Sequence, residues 1–343
     1  MNQESLVDKI KKQKERESEI RTKLITYKDF INKELPPARW VAEGFIPTGL
    51  TILAAPGGKF KTFTLLQIAK DVAEGNNVLG KFKAEKQNIL FINEESPEII
   101  MQDRLKLFGG EQPENIYFTH FANIKLNEID SELILKLCKE KEIKFIIIDS
   151  ITRVQDIMDS KSSDEVKKNF EKLTPLLTEG ISVLYTHHTR KPIGFNNQPA
   201  GIDDIRDSTD YVNQADTVFM ISFVSDDKSF LVMSNPKRRA APEMDSFKVK
   251  INKGQDSILF SYDGDFKPED IQAQKIEAYT QPIIDYIKAH PGCQPNNLFA
   301  EFRGSVGQKA IRAIIKDGEE SGQIISKTKK PKTLYFNDLN SMF

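Results

Sequence analysis

The sequence is poor in cysteine. Cys138 and Cys293 are its two thiols, and no Cys-x-x-Cys pair occurs. That excludes a disulfide framework and a thiolate zinc site, and it fits a reducing compartment. Long apolar runs are also missing. Stretches such as residues 145–148 fall far short of a membrane span, and the charged N-terminus has no apolar signal-peptide core. The expectation is a cytoplasmic protein with no membrane association. Net charge is nearly absent: 49 Lys and Arg stand against 50 Asp and Glu, for a formal −1. A polycation is excluded, so any binding to nucleic acid must rest on local basic patches. What is present is ordinary for a globular chain, 39% hydrophobic and 29% charged, and 343 residues leave room for two or three domains around one large core.

Residues 1–35 are rich in Lys, Glu, Arg and Gln without Pro or Gly, which predicts a helical N-terminal arm ended by Pro36-Pro37. Its sparse apolar positions (Leu6, Ile10, Ile20, Leu24, Ile25, Ile31) are too few for a core. They suit either a solvated helix or an arm that packs on a neighbouring subunit. From 36 to 262, β-rich runs at 50–54, 88–93, 144–149, 182–186 and 217–223 alternate with helical stretches. This predicts an α/β core with a mostly parallel sheet flanked by helices. Runs at 229–234 and 245–250 read as antiparallel edge strands. A polar linker is expected at 263–275. Residues 276–343 then predict three short helices (276–289, 295–302, 305–321) and a strand pair (324–327, 333–336), the order of a winged helix.

The chemistry gathers at strand ends. An apolar strand runs into Ala55-Pro56-Gly57-Gly58-Lys59-Phe60-Lys61-Thr62-Phe63 and then a helical stretch. This is the layout for wrapping a phosphate in backbone N–H groups at a helix N-terminus. In such a loop Lys61 reaches the β- and γ-phosphates of ATP and the Thr62 hydroxyl binds Mg²⁺. Ala55 and Phe60 stand where the G-x-x-x-x-G-K-[ST] pattern has glycine, and that leaves open a plain strand–turn–helix connection. The strand at 144–149 ends in Asp149, a carboxylate that would hold Mg²⁺ through water beside Thr62. The strand at 88–93 runs into Glu94-Glu95, either of which is placed to deprotonate an attacking water, while helix capping is the structural alternative. A further strand leads into His187-His188. Adjacent strand residues point to opposite faces, so the pair suits a polar phosphate sensor better than one metal ion.

Together these pieces resemble the RecA-like cores of hexameric replicative helicases, the DnaB and plasmid RepA types, over about residues 36–262. The most specific likeness lies at 204–216, where Ile205, Arg206, Asp207, Ser208, Ala215 and Asp216 match or conserve a helicase segment. The resemblance implies that Glu94 is the catalytic glutamate and His188 the γ-phosphate sensor. It also implies that Lys237 and Arg239 form the K-x-R pair inserted into a neighbour's site, hence a homo-oligomeric ring, a hexamer. In such rings single-stranded DNA threads the centre. The loop at 191–203, with Lys191 and Phe195, and the loop at 151–164 are the candidates to hold it, as they are candidates for plain connecting loops.

In the C-terminal unit Lys309, Arg312, Lys329 and Lys330 offer a basic helix and wing for DNA, or a docking module for a primase or initiator protein. Three functions fit the sequence. They are an ATP-dependent, ring-forming DNA helicase in replication of a plasmid, phage or similar replicon; a filament-forming recombination ATPase; and a DNA-binding ATPase switch that unwinds nothing.

Overall fold

The computed structural model describes residues 6–34, 40–58, 60–110, 112–190, 201–207, 209–222, 229–239, 241–303, 305–329 and 332–337. Two compact units result, Met1–Arg39 and Trp40–Phe343. The first holds two helices rather than one, α1 (Leu6–Lys23) and α2 (Tyr27–Ile31). The break falls at Thr26, whose hydroxyl accepts the Asp29 N–H at 3.1 Å and starts a new helix. Leu24, Tyr27 and Ile31 are exposed, and none of the described side chains of this unit is buried. Among the described residues no helix is long and apolar enough to cross a membrane.

The second unit opens with a short antiparallel pair, β1 (Trp40–Ala42) and β2 (Ile46–Pro47). An alternating run follows: β3 (Leu50–Ala55), α3 (Lys61–Glu74), β4 (Asn88–Asn93), α4 (Glu98–Lys106), β5 (Ile116–His120), α5 (Glu128–Glu140) and β6 (Ile143–Asp149). It continues through α6 (Ile151–Val154), α7 (Ser163–Glu171), α8 (Thr174–Thr178), β7 (Ser182–His188), α9 (Asp210–Gln214) and β8 (Thr217–Ser222). Three antiparallel strands close it, β9 (Phe230–Arg238), β10 (Phe247–Lys253) and β11 (Ile258–Asp265). The described residues form a nine-stranded sheet in the order β11-β10-β9-β8-β3-β7-β6-β4-β5, parallel from β8 to β5. Strands β5 and β11 are additions to the strands expected from the sequence. The burial of β5 is only partial, which weakens its apolar signal.

Each face of the sheet carries a core. Ile89, Phe91, Phe145, Ile147 and Leu184 pack with α3 on one side. Leu90, Ile92, Ile146, Ile148, Val183 and Tyr185 pack with Ile134, Phe170 and Tyr211 on the other. This two-residue alternation decides which strand-end side chains face α3.

The expected linker at 263–275 is not there. β11 continues to Asp265, Phe266 is buried with its N–H on the Ser246 carbonyl, and helix α10 (Pro268–Ala289) begins at once. Pro268 occupies the first helical position, where its missing N–H costs nothing. Helices α11 (Pro295–Glu301) and α12 (Gln308–Glu320) follow, then the antiparallel hairpin β12 (Ile325–Lys329) and β13 (Lys332–Phe336). Ile283, Ile287, Leu298, Ile311, Ile314 and Ile324 form their core.

Within α3, Asp71 is buried and accepts from Gln67 at 2.8 Å and from the Leu79 N–H at 3.0 Å. Burial, more than those bonds oppose it, pushes its carboxyl up to about 6. The folded state thus holds this proton above the unfolded carboxyl's value. The contribution of this one group to stability is greatest below about pH 4, falls as pH rises to about 6 and is flat beyond, a loss of at most about 3 kcal/mol. Asp71→Asn is expected to remove that fall and to melt no lower than the parent at pH 7.5. Thermal melts of both proteins at pH 5 and pH 7.5 check this, and a variant that melts lower at pH 7.5 refutes it.

Candidate functional site

The site lies beyond the carboxyl ends of β3, β4, β6 and β7, where parallel α/β sheets place ligands. Register brings its parts together: Ala55 pairs with His188, and Asn93 with Asp149. β3 is buried throughout, and the chain leaves it through Pro56, Gly57 and Gly58 into α3. Lys59 lies outside the described residues.

Phe60 takes the left-handed conformation, φ 56°, that this turn requires and that glycine adopts without strain. The cost for another residue is about 1–2 kcal/mol. Its ring packs 5.9 Å from Phe63 and 5.7 Å from Phe260, with the Lys253 amine 5.2 Å from its centre. Aromatic packing of this kind offsets the strain, so the loop closes without the second glycine. No side chain caps α3 and no acid occupies its first turn, which leaves its leading N–H groups for an anion.

Lys61 is buried at the start of α3. Its amine donates to the Ala55 and Pro56 carbonyls, both at 3.2 Å, and lies 3.3 Å from His188 Nδ1. Burial lowers its pKa, opposed by the Glu95 and Asp149 carboxylates. Asp149 Oδ2 accepts from the Thr62 hydroxyl at 2.6 Å, and Oδ1 accepts from Thr186 at 2.7 Å. Burial raises the Asp149 carboxyl, the Thr62 bond opposes this, and Glu95 adds to the rise. Thr186 escaped the sequence reading. It lies two residues before His188 on one strand face, and that spacing was its available signal.

His188 is held below the usual histidine range by burial and then by the Lys61 ammonium. Because an ammonium only donates, the Lys61 contact makes Nδ1 the acceptor and leaves the ring proton on Nε2. His187 points to the opposite face, buried, with its ring 4.4 Å from Tyr211.

The two glutamates part company. Alternation along β4 puts Ile89, Phe91 and Asn93 on the α3 side and Leu90 and Ile92 on the other. Carried past the strand, it sends Glu94 away, and Glu94 Oε1 takes the Ile124 N–H at 3.4 Å. Glu95 is the carboxylate whose charge acts on Lys61, Asp149 and His188, and its Oε2 is buried without a hydrogen-bond partner. The turn that aims it is held by Asn93, which accepts the Ser96 N–H at 3.0 Å and donates to the Ser96 carbonyl at 2.6 Å.

Lys237 and Arg239 lie elsewhere. β9 pairs with β8 so that Thr217 faces Arg238, and Thr217 pairs with Thr51 near the start of β3. The pair therefore sits at the end of the sheet opposite the phosphate loop. Lys237 Nζ donates to the Val212 carbonyl at 2.5 Å, and Arg239 donates to the Asn213 carbonyl at 2.9 Å. Both carbonyls lie at the C-terminal end of α9, where cations are favoured. Between them, Arg238 turns away to the Gly44 carbonyl at 2.9 Å and the Trp40 ring. Asp216, the end of the helicase-like segment, accepts the Leu50 N–H at 2.9 Å and so holds the start of β3. Ser208 of that segment lies outside the described residues, as do Lys191, Phe195 and Lys330.

The donor set of Thr62 and Asp149, two adjacent oxygens on a buried carboxylate and a hydroxyl, fits a hard divalent cation such as Mg²⁺. Comparison with curated proteins returns no match. A family model described as an AAA domain matches residues 14–193, over half of the chain and the whole span from the phosphate loop to His188, and the protein belongs to that family of P-loop ATPases.

Proposed function

We propose that the protein is an ATP-driven, ring-forming DNA helicase that moves on single-stranded DNA, serving replication of a plasmid, phage or similar replicon. Nucleotide hydrolysis follows from the P-loop core. One observation supports assembly: the Lys237–Arg239 pair lies at the far end of the sheet from its own phosphate loop. Four residue steps of β3 alone separate the two ends by about 13 Å, a distance that suits action on another subunit's nucleotide rather than on their own.

In this reading Thr62 and Asp149 hold Mg²⁺, which supplies charge neutralisation of the β- and γ-phosphates when bound. The Lys61 ammonium exchanges its loop carbonyls for phosphate oxygens. His188 hydrogen-bonds a γ-phosphate oxygen through its Nε2–H, which it keeps. Glu95 accepts a proton from the water that attacks phosphorus, while the bond to the ADP oxygen breaks. Arg239 of a neighbouring subunit offsets the charge that builds up. The span expected as a loop at 151–164 holds α6 and the start of α7, so its connecting part at 155–162 and the loop at 191–203, which lies mostly outside the described residues, are the candidates to follow the DNA strand.

The test is strand displacement on a forked duplex with ATP, run beside a mass measurement of the assembly and with Lys61→Ala as control. Displacement by a closed hexamer, lost in the control, is the expected result. Hydrolysis without displacement sinks the helicase reading and leaves the DNA-binding ATPase switch, which the basic face of α12 also supports. Open filaments in place of rings would point to the recombination type.

A further inference from the structure

A second set of cations sits far along the chain from the ATPase residues. Helix α12 buries Ala310, Ile311, Ile314 and Ile315 against its own unit. Its other side exposes Lys309, Arg312 and Lys316, three and four residues apart and so on one face. Charge is sorted along the helix: these three cations come first, and Asp317, Glu319 and Glu320 follow. The first turn holds no acid. That order is opposite to what the helix dipole favours. Cations at the positive end lower the stability of an isolated helix; Lys316 is partly offset by Glu320 at 3.7 Å and Arg312 lies 5.6 Å from the Phe299 ring, and all three side chains stay exposed to a polyanion. Arg303, exposed in the turn between α11 and α12, adds a cation at the same end. In hairpin β12–β13, Lys329 and Lys332 are paired in register.

The chemistry of this face narrows its partner. Among the described residues, no large hydrophobic side chain of 276–337 is exposed. Protein interfaces are anchored by buried aromatic or aliphatic residues, and single strands by exposed aromatic rings on which bases stack. Neither is offered here. A convex, cationic helix about 10–12 Å across matches the width of a duplex major groove, and helix-turn-helix units read bases with the N-terminal residues of their second helix.

We propose that residues 276–337 form a winged helix that binds duplex DNA, with the N-terminal half of α12 in the major groove and hairpin β12–β13 on the flanking phosphates. The reading is independent of the helicase proposal. The test uses the full chain without nucleotide, a fluorescent blunt duplex, and anisotropy titrations across a range of salt. Lys309→Ala/Arg312→Ala/Lys316→Ala is expected to weaken duplex binding at least about tenfold near 0.1 M salt, and to flatten the log–log salt slope by about 2–3. ATP hydrolysis stimulated by single-stranded DNA should stay at the parent's level, since those residues lie outside the core. Asp317→Asn/Glu320→Gln should tighten duplex binding and gives the answer if the triple variant does not fold. Unchanged affinity and slope in a triple variant that melts like the parent overturns the proposal. So does no response of duplex binding to the acid-neutralising variant, or binding of an acidic protein to this face with none of duplex.

Discussion

Glu95→Gln is expected to lower the rate of ATP hydrolysis by about 10²–10⁴-fold, the usual worth of a positioned general base, while nucleotide affinity stays close to the parent's. Glu94→Gln is expected to cost tenfold or less. The family likeness points to Glu94, but the geometry prefers its neighbour. Glu94 is engaged with the Ile124 amide on the side of the sheet away from α3. Glu95 shares the field of Lys61, Asp149 and His188 and keeps one buried oxygen unpartnered. An unsatisfied buried acceptor is costly unless something fills it, and an attacking water would. Single-turnover hydrolysis, with nucleotide binding measured separately, decides between them. A larger rate loss in Glu94→Gln than in Glu95→Gln reverses the assignment.

Arg239→Ala is expected to slow hydrolysis by the assembled protein about 10³–10⁵-fold, the range for a transition-state arginine supplied in trans. Nucleotide binding to isolated subunits should not change, because the arginine never reaches its own loop. A mixing experiment makes this sharp. Lys61→Ala subunits lack a working phosphate loop but carry the arginine; Arg239→Ala subunits are the converse. Neither alone hydrolyses ATP at a useful rate, yet mixed assemblies contain junctions with both parts and should recover a fraction of the parent rate. Failure to complement, or a proven monomer that hydrolyses as fast as the assembly, removes Arg239 from the reaction. If Arg239 acts in trans as proposed, its contact with the Asn213 carbonyl must first be released.

Much of the core was legible because parallel strands buried on both faces read as continuous apolar runs. The runs ending at Asn93, Asp149 and His188 were recognisable, and so was the Lys61-Thr62 step into a helix. β5 was missed because its half-buried residues lack such a run. β11 was missed because its second half alternates polar residues on an exposed edge. The linker was misread because a polar composition with one proline suits a helix start as well as a loop.

By itself, the sequence determined that strand ends carry a lysine, a threonine, acids and a histidine, since strand, turn and helix preferences are local and each of these residues lies within a few positions of its own strand's end. It also determined that cations cluster at 237–239 and in the C-terminal unit. The tertiary structure decided which of these meet. Thr62 reaches Asp149 across 87 residues and Lys61 reaches His188 across 127, because sheet order and register set those neighbours and neither is written in any short stretch. The same register carried Lys237 and Arg239 to the opposite end of the sheet. The two-residue alternation of β4, meaningful only once α3 is known to lie on one face, separated Glu95 from Glu94. Phe60 shows the same division. As a letter it reads as a lost glycine, and the rings of Phe63 and Phe260, one of them far away in sequence, are what make its left-handed turn tolerable.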